Sequence, residues 1–170
     1  DCFDLTITAF NLAEKYRTPV VFLADEVIGH LRESATFYTP DPSEIINRAT
    51  PPEGTKQADF RPYGYATNMP VPMTYVGDPE LLMRTTGSTH DEKGEFGPSP
   101  ANINRVTHYL TDKIEKNVDD ITITRSYKLD DADVVIISFG CSVRSSITAV
   151  DKLREKGVKA GMLQLVTVWP

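Results

Sequence analysis

The sequence predicts an α/β chain: parallel-sheet pieces of two domains joined by a long Pro-rich extended segment. Three observations carry this reading. Two short, continuously apolar runs, Val20-Val21-Phe22-Leu23-Ala24 and Val134-Val135-Ile136-Ile137-Ser138-Phe139, have the pattern of strands buried on both faces of a parallel sheet. The second run opens a strand–helix–strand order whose crossover predicts a right-handed parallel pair. Between the two runs, ten of the twelve prolines fall within residues 40–100, among six of the ten glycines. The expected divisions are residues 1–98, a connecting helix and linker over 99–127, and residues 128–170.

The elements follow in order. Leu5, Ala9, Leu12 and Tyr16 share one face at helical spacing, so residues 3–16 read as a helix that Pro19 stops. After the first apolar run, residues 28–32 form a short helix. The Pro-rich stretch excludes a long helix or central strand, because proline lacks a donor and fixes its backbone angle. Yet Phe60, Tyr63, Tyr65, Met69, Val71, Met73 and Tyr75 are too apolar for a disordered linker. An extended excursion laid over another surface fits both facts. Ser99 is a good N-cap and Pro100 suits the first helical position. Ile103, Val106, Leu110, Ile114 and Val118 then step along one face of the clearest amphipathic helix in the chain. In the last stretch, the run from Val134 leads through Gly140-Cys141-Ser142 into a helix lined by Val143, Ile147, Val150 and Leu153. Gly157 stops that helix, and Met162 to Val166 supply the next strand.

Composition excludes several functions. A net charge of −6 without a Lys/Arg cluster argues against nucleic acid. No apolar run approaches the roughly 20 residues of a membrane-spanning helix. Two distant cysteines, Cys2 and Cys141, make neither a disulfide scaffold nor a cluster-binding set, which points to a reduced cytoplasmic protein. Both ends read as cuts through a larger chain.

Three places can carry chemistry. Gly140-Cys141-Ser142, at a helix start, exposes backbone N–H groups to a phosphate or carboxylate, or is simply a tight turn. Cys141 there is a small passive residue or, as a helix cap, a more acidic thiol. The segment Thr86-Gly87-Ser88-Thr89-His90-Asp91-Glu92-Lys93-Gly94 sets an imidazole and two carboxylates between glycines. It reads equally as a solvated turn or a functional loop. Asp25-Glu26 directly follows an apolar run, where open sheets place ligands and where carboxylates also cap helices. His30 and His108 have no companions, and no metal-ligand spacing, nucleophile triad or P-loop is present.

Several stretches together resemble a known family. DCFDLTITAFNLAEKYRTPVVFLADEVIGHLRE resembles the late part of the pyrimidine-binding domain in alpha subunits of 2-oxoacid:ferredoxin oxidoreductases, the 2-oxoglutarate type above all. TTGSTHDEKG is similar to that family's Gly-x-x-His-Asp-Glu loop. The stretch from Asp131 to Pro170 resembles the opening half of the transketolase C-terminal-like domain. The resemblance implies two thiamine-enzyme-type domains and a thiamine diphosphate enzyme. Such an enzyme decarboxylates a 2-oxoacid oxidatively with CoA, yields an acyl-CoA and passes electrons to ferredoxin. It further implies a beta subunit that holds the diphosphate, Mg²⁺ and an iron–sulfur cluster, none of them bound by this segment alone. His90, Asp91 and Glu92 carry over as a substrate loop in which Asp91 orients the 2-oxoacid. Two other readings stand beside this one, a non-catalytic α/β scaffold and half of another thiamine enzyme of transketolase type.

Overall fold

A computed structural model describes residues 1–64 and 70–170. Tyr65 and Met69, two of the expected apolar anchors, lie outside the described residues. The elements in order are α1 (Cys2–Tyr16), α2 (Glu26–His30), a 3-10 turn (Pro42–Glu44), α3 (Pro100–Glu115), α4 (Val118–Ile121), β1 (Thr124–Tyr127), β2 (Val134–Ser138), α5 (Ser142–Glu155) and β3 (Ala160–Leu165). The chain forms two compact units: residues 1–21 with 37–116, and residues 22–36 with 117–170.

In the first unit, α1 and α3 form where their apolar spacing predicts, except that α3 stops at Glu115 and Val118, expected on its face, opens α4. Ser99 caps α3 as expected, its hydroxyl accepting from the Asn102 N–H at 3.3 Å, with Pro100 at the first helical position. Arg17 ends α1 in the left-handed region, φ 46°, and its N–H donates to the Ala13 carbonyl. Such a backbone costs about 1–3 kcal/mol for a residue with a Cβ. Side-chain contacts offset that cost. The Arg17 guanidinium donates to the carbonyls of Pro62 and Val71, reaches Met83 Sδ at 3.6 Å and lies 5.0 Å over the Tyr63 ring.

The Pro-rich stretch is not a joining segment. Residues 37–99 pack within the first unit, alongside α1 and α3. Phe60 and Leu81 are buried there with Tyr16 and Ile114, and Pro62 is almost fully enclosed. Lys113, 3% exposed, runs its stem through this core and donates from Nζ to the Arg17 carbonyl at 3.2 Å. Burial, and then the Arg17 charge, push the Lys113 pKa down.

The second unit holds a three-stranded sheet in the order β1-β3-β2. β2 and β3 are parallel, with Val134 opposite Ala160 and Ser138 opposite Gln164. The predicted strand–helix–strand unit is therefore present. α5 covers one sheet face through Val143, Val150, Ala160 and Met162, with Tyr127, Ile136, Ile147 and Leu153 around them. Gly157 ends α5 as expected, its N–H donating to the Arg154 carbonyl at 2.9 Å.

Three expectations fail. The run at 20–24 is not a strand, and Val21 and Leu23 are 76% and 81% exposed. Apolarity makes a strand only where a neighbour pairs its backbone, and none of the described strands does. The run at 134–139 is a strand but not a buried one. β2 is an edge strand, and Val135 and Ile137, which face away from α5, are exposed. The 99–127 interval is not all helix and linker. Thr124-Arg125-Ser126-Tyr127 forms β1, antiparallel to β3, although its composition carries no apolar alternation.

The small core of the second unit makes it sensitive to truncation. Met162→Ala removes a side chain that is 2% exposed between sheet and helix. The expected cost is about 2–5 kcal/mol, read as a lower urea midpoint with unchanged slope.

Candidate functional site

The loop at residues 86–97 is built from within. His90 and Phe96 form an isolated antiparallel bridge. The Asp91 carboxylate accepts from the N–H groups of Lys93 at 2.8 Å and Glu95 at 3.0 Å, while the Asp91 N–H donates to the Glu95 carbonyl at 2.8 Å. Gly94 makes the return at φ +86°, where an added Cβ would stand 2.7 Å from the Arg84 carbonyl and 3.1 Å from the Tyr63 ring. Local desolvation raises the Asp91 pKa, but the N–H groups of Glu95 and Lys93 outweigh it and hold the carboxyl below its usual range. The contribution of these bonds is therefore present above the ordinary carboxyl pKa and lost as pH falls through the lowered one.

Two neighbours clamp the loop. From the first turn of α3, Asn102 Nδ2 donates to the carbonyls of His90 at 2.9 Å and Gly97 at 2.8 Å. Arg105 orients that amide by donating to Asn102 Oδ1 at 2.8 Å, and its other arm pairs with Glu92. On another side, the Tyr63 N–H donates to the Glu92 carbonyl at 3.0 Å and its hydroxyl donates to the Arg84 carbonyl at 2.9 Å. Arg84 pairs with Glu95. The Tyr63 ring lies 3.9 Å from the His90 ring, centroid to centroid, tilted by 55°. Of the three residues singled out from sequence, Asp91 and Glu92 thus hold the loop together. His90 is held by Tyr63 and by a 3.1 Å contact from Nδ1 to the Ser88 carbonyl.

Sequence reasoning missed Tyr63, Asn102 and Arg105. Asn102 carried a signal, being a polar amide in the first turn of the helix that directly follows the loop. Tyr63 lies 27 residues before His90 and carried none.

The turn at Gly140-Cys141-Ser142 already holds an anion, supplied by its own unit. Asp25 Oδ2 accepts from the Cys141 N–H at 2.6 Å. Gly140, φ +61°, permits this approach, since a Cβ there would meet Asp25 Oδ2 at 2.4 Å. Ser142 Oγ is spent on the Phe139 carbonyl and the Ser138 hydroxyl. The expected cap of the helix that follows is not formed: Asp25 precedes α2 without a side-chain cap bond, and its carboxylate meets the start of α5 instead. A diphosphate does not fit a turn that carries this carboxylate, so no step through thiamine diphosphate is built on it. Local desolvation, then the Asp25 carboxylate, raise the Cys141 pKa, so the cysteine is not the acidic thiol that a free helix start would produce.

His30 and Glu26 stand 3.7 Å apart on α2, and His108 Nδ1 contacts the Asn104 carbonyl at 2.8 Å within α3. Both serve their own helices. Among the described residues no group of three or more His, Cys, Asp or Glu side chains is placed to hold a metal ion. The donor set fits neither Mg²⁺ nor a cluster, and no step through either is derived. Among those residues no helix is long and apolar enough to cross a membrane.

Comparison with known proteins identifies the family. Residues 1–98 match the family model for pyruvate flavodoxin/ferredoxin oxidoreductase, thiamine diphosphate-binding. The chain belongs to that family. Residues 132–170 match core domain II of pyruvate:ferredoxin oxidoreductase. A 2-oxoglutarate synthase subunit KorA from Methanothermobacter marburgensis is 42% identical over 171 residues, covering 100% of this chain and 44% of the relative. A ketoisovalerate oxidoreductase subunit VorB from the same organism is 31% identical, covering 98% of this chain and 39% of the relative. The solved 2-oxoglutarate:ferredoxin oxidoreductase from Magnetococcus marinus, with 2-oxoglutarate, coenzyme A and succinyl-CoA bound, superimposes with a TM-score of 0.78. It is 28% identical and covers 100% of this chain and 30% of that one. The chain thus spans less than half the length of each.

Two outcomes test this geometry. Asp91→Ala frees the N–H groups of Lys93 and Glu95, so their amide hydrogen exchange accelerates by roughly tenfold, as expected for losing about 1.4 kcal/mol of local protection. Asp25→Asn removes the negative charge beside Cys141, so alkylation of Cys141 by iodoacetamide at mildly alkaline pH becomes faster, followed by peptide mass spectrometry. An unchanged rate would show that Asp25 has no electrostatic hold on the thiol.

Proposed function

We propose that this chain is part of the alpha subunit of a 2-oxoacid:ferredoxin oxidoreductase acting on 2-oxoglutarate. The overall reaction takes a 2-oxoacid, CoA and two oxidised ferredoxins to an acyl-CoA, CO₂, a proton and two reduced ferredoxins. With 2-oxoglutarate the product is succinyl-CoA. The observation that carries the reading is the 42% identity to a 2-oxoglutarate synthase subunit along the whole chain. It exceeds the 31% identity to a ketoisovalerate oxidoreductase subunit, which favours the dicarboxylic substrate.

In this reading thiamine diphosphate supplies the carbanion chemistry when bound. The beta subunit provides the diphosphate and Mg²⁺ sites and the iron–sulfur cluster, and the assembled enzyme works in the cytoplasm. This chain contributes framework and a substrate-facing loop, residues 86–97. The loop suits that role physically. Its backbone is clamped by Asn102, Tyr63 and its own Asp91, and a preorganised loop loses little entropy when a ligand binds.

The test is an assay of the full-length alpha subunit co-purified with its beta partner, by CoA-dependent reduction of a viologen dye. The expected result is the highest kcat/KM with 2-oxoglutarate, below it branched-chain 2-oxoacids and pyruvate. An assembled complex with no turnover of any 2-oxoacid overturns the proposal.

A further inference from the structure

We draw no further inference here: the strongest candidate, the bare sheet face of the second unit at Val135 and Ile137 beside the free edge of β2, carries nothing because nothing among the described residues shows what covers it.

Discussion

A backbone without a ladder must find other partners for its N–H and C=O groups, and the first unit is organised around that constraint. The described residues of 37–99 contain one 3-10 turn and one isolated bridge, so few of their polar groups are satisfied by regular structure. Side chains take over. Arg17 caps the Pro62 and Val71 carbonyls, Gln57 both donates to the Leu82 carbonyl and accepts from the Leu82 N–H, and Asn11 does the same for Glu44 and Ile46. Asn102 and Tyr63 complete the set at the 86–97 loop. The long, irregular course becomes a fixed shape because bifunctional amides and guanidinium groups stand where a neighbouring strand would.

The same constraint explains why the loop's conspicuous polar residues divide their work. A tight return through Gly94 leaves several N–H groups pointing inward, and an acceptor in the loop itself is the nearest partner. Asp91 is that acceptor. Once it is committed, and Glu92 is drawn to Arg105, the loop is electrostatically closed on its anionic side. The placement of His90 against Tyr63 follows from the clamps that hold the backbone.

Elements written in local code were legible from the sequence. α1, α3 and α5 declare themselves by apolar spacing, the start of α3 by Ser99-Pro100, and the end of α5 by Gly157. The parallel pairing of β2 and β3 follows from a short crossover. Features that depend on distant partners were not legible. Residues 20–24 look like a core strand, but strand formation is decided by a neighbour the run cannot specify. β1 is the reverse case, a polar tetrapeptide made into a strand by the free edge of β3. At the candidate site, composition marked the His-Asp-Glu cluster as noteworthy. It could not say which side chain serves the backbone, because that depends on Tyr63, Asn102 and Arg105.

Asp25 and Cys141, 116 positions apart, show why a helix start is a weak sign of a ligand site. The partial positive charge at the first turn of α5 attracts an anion whether that anion arrives in solution or on the chain itself. Here the segment of residues 22–36 supplies it, and Glu33 adds a second tie by pairing with Arg144 of the same helix at 2.6 Å. Gly140 then has a structural purpose, since any side chain would displace the carboxylate. A turn that looked open in one dimension is closed in three. The loop at residues 86–97 is likewise closed from within: Asp91 Oδ1 takes the N–H groups of Lys93 and Glu95, while Glu92 and Glu95 pair with Arg105 and Arg84.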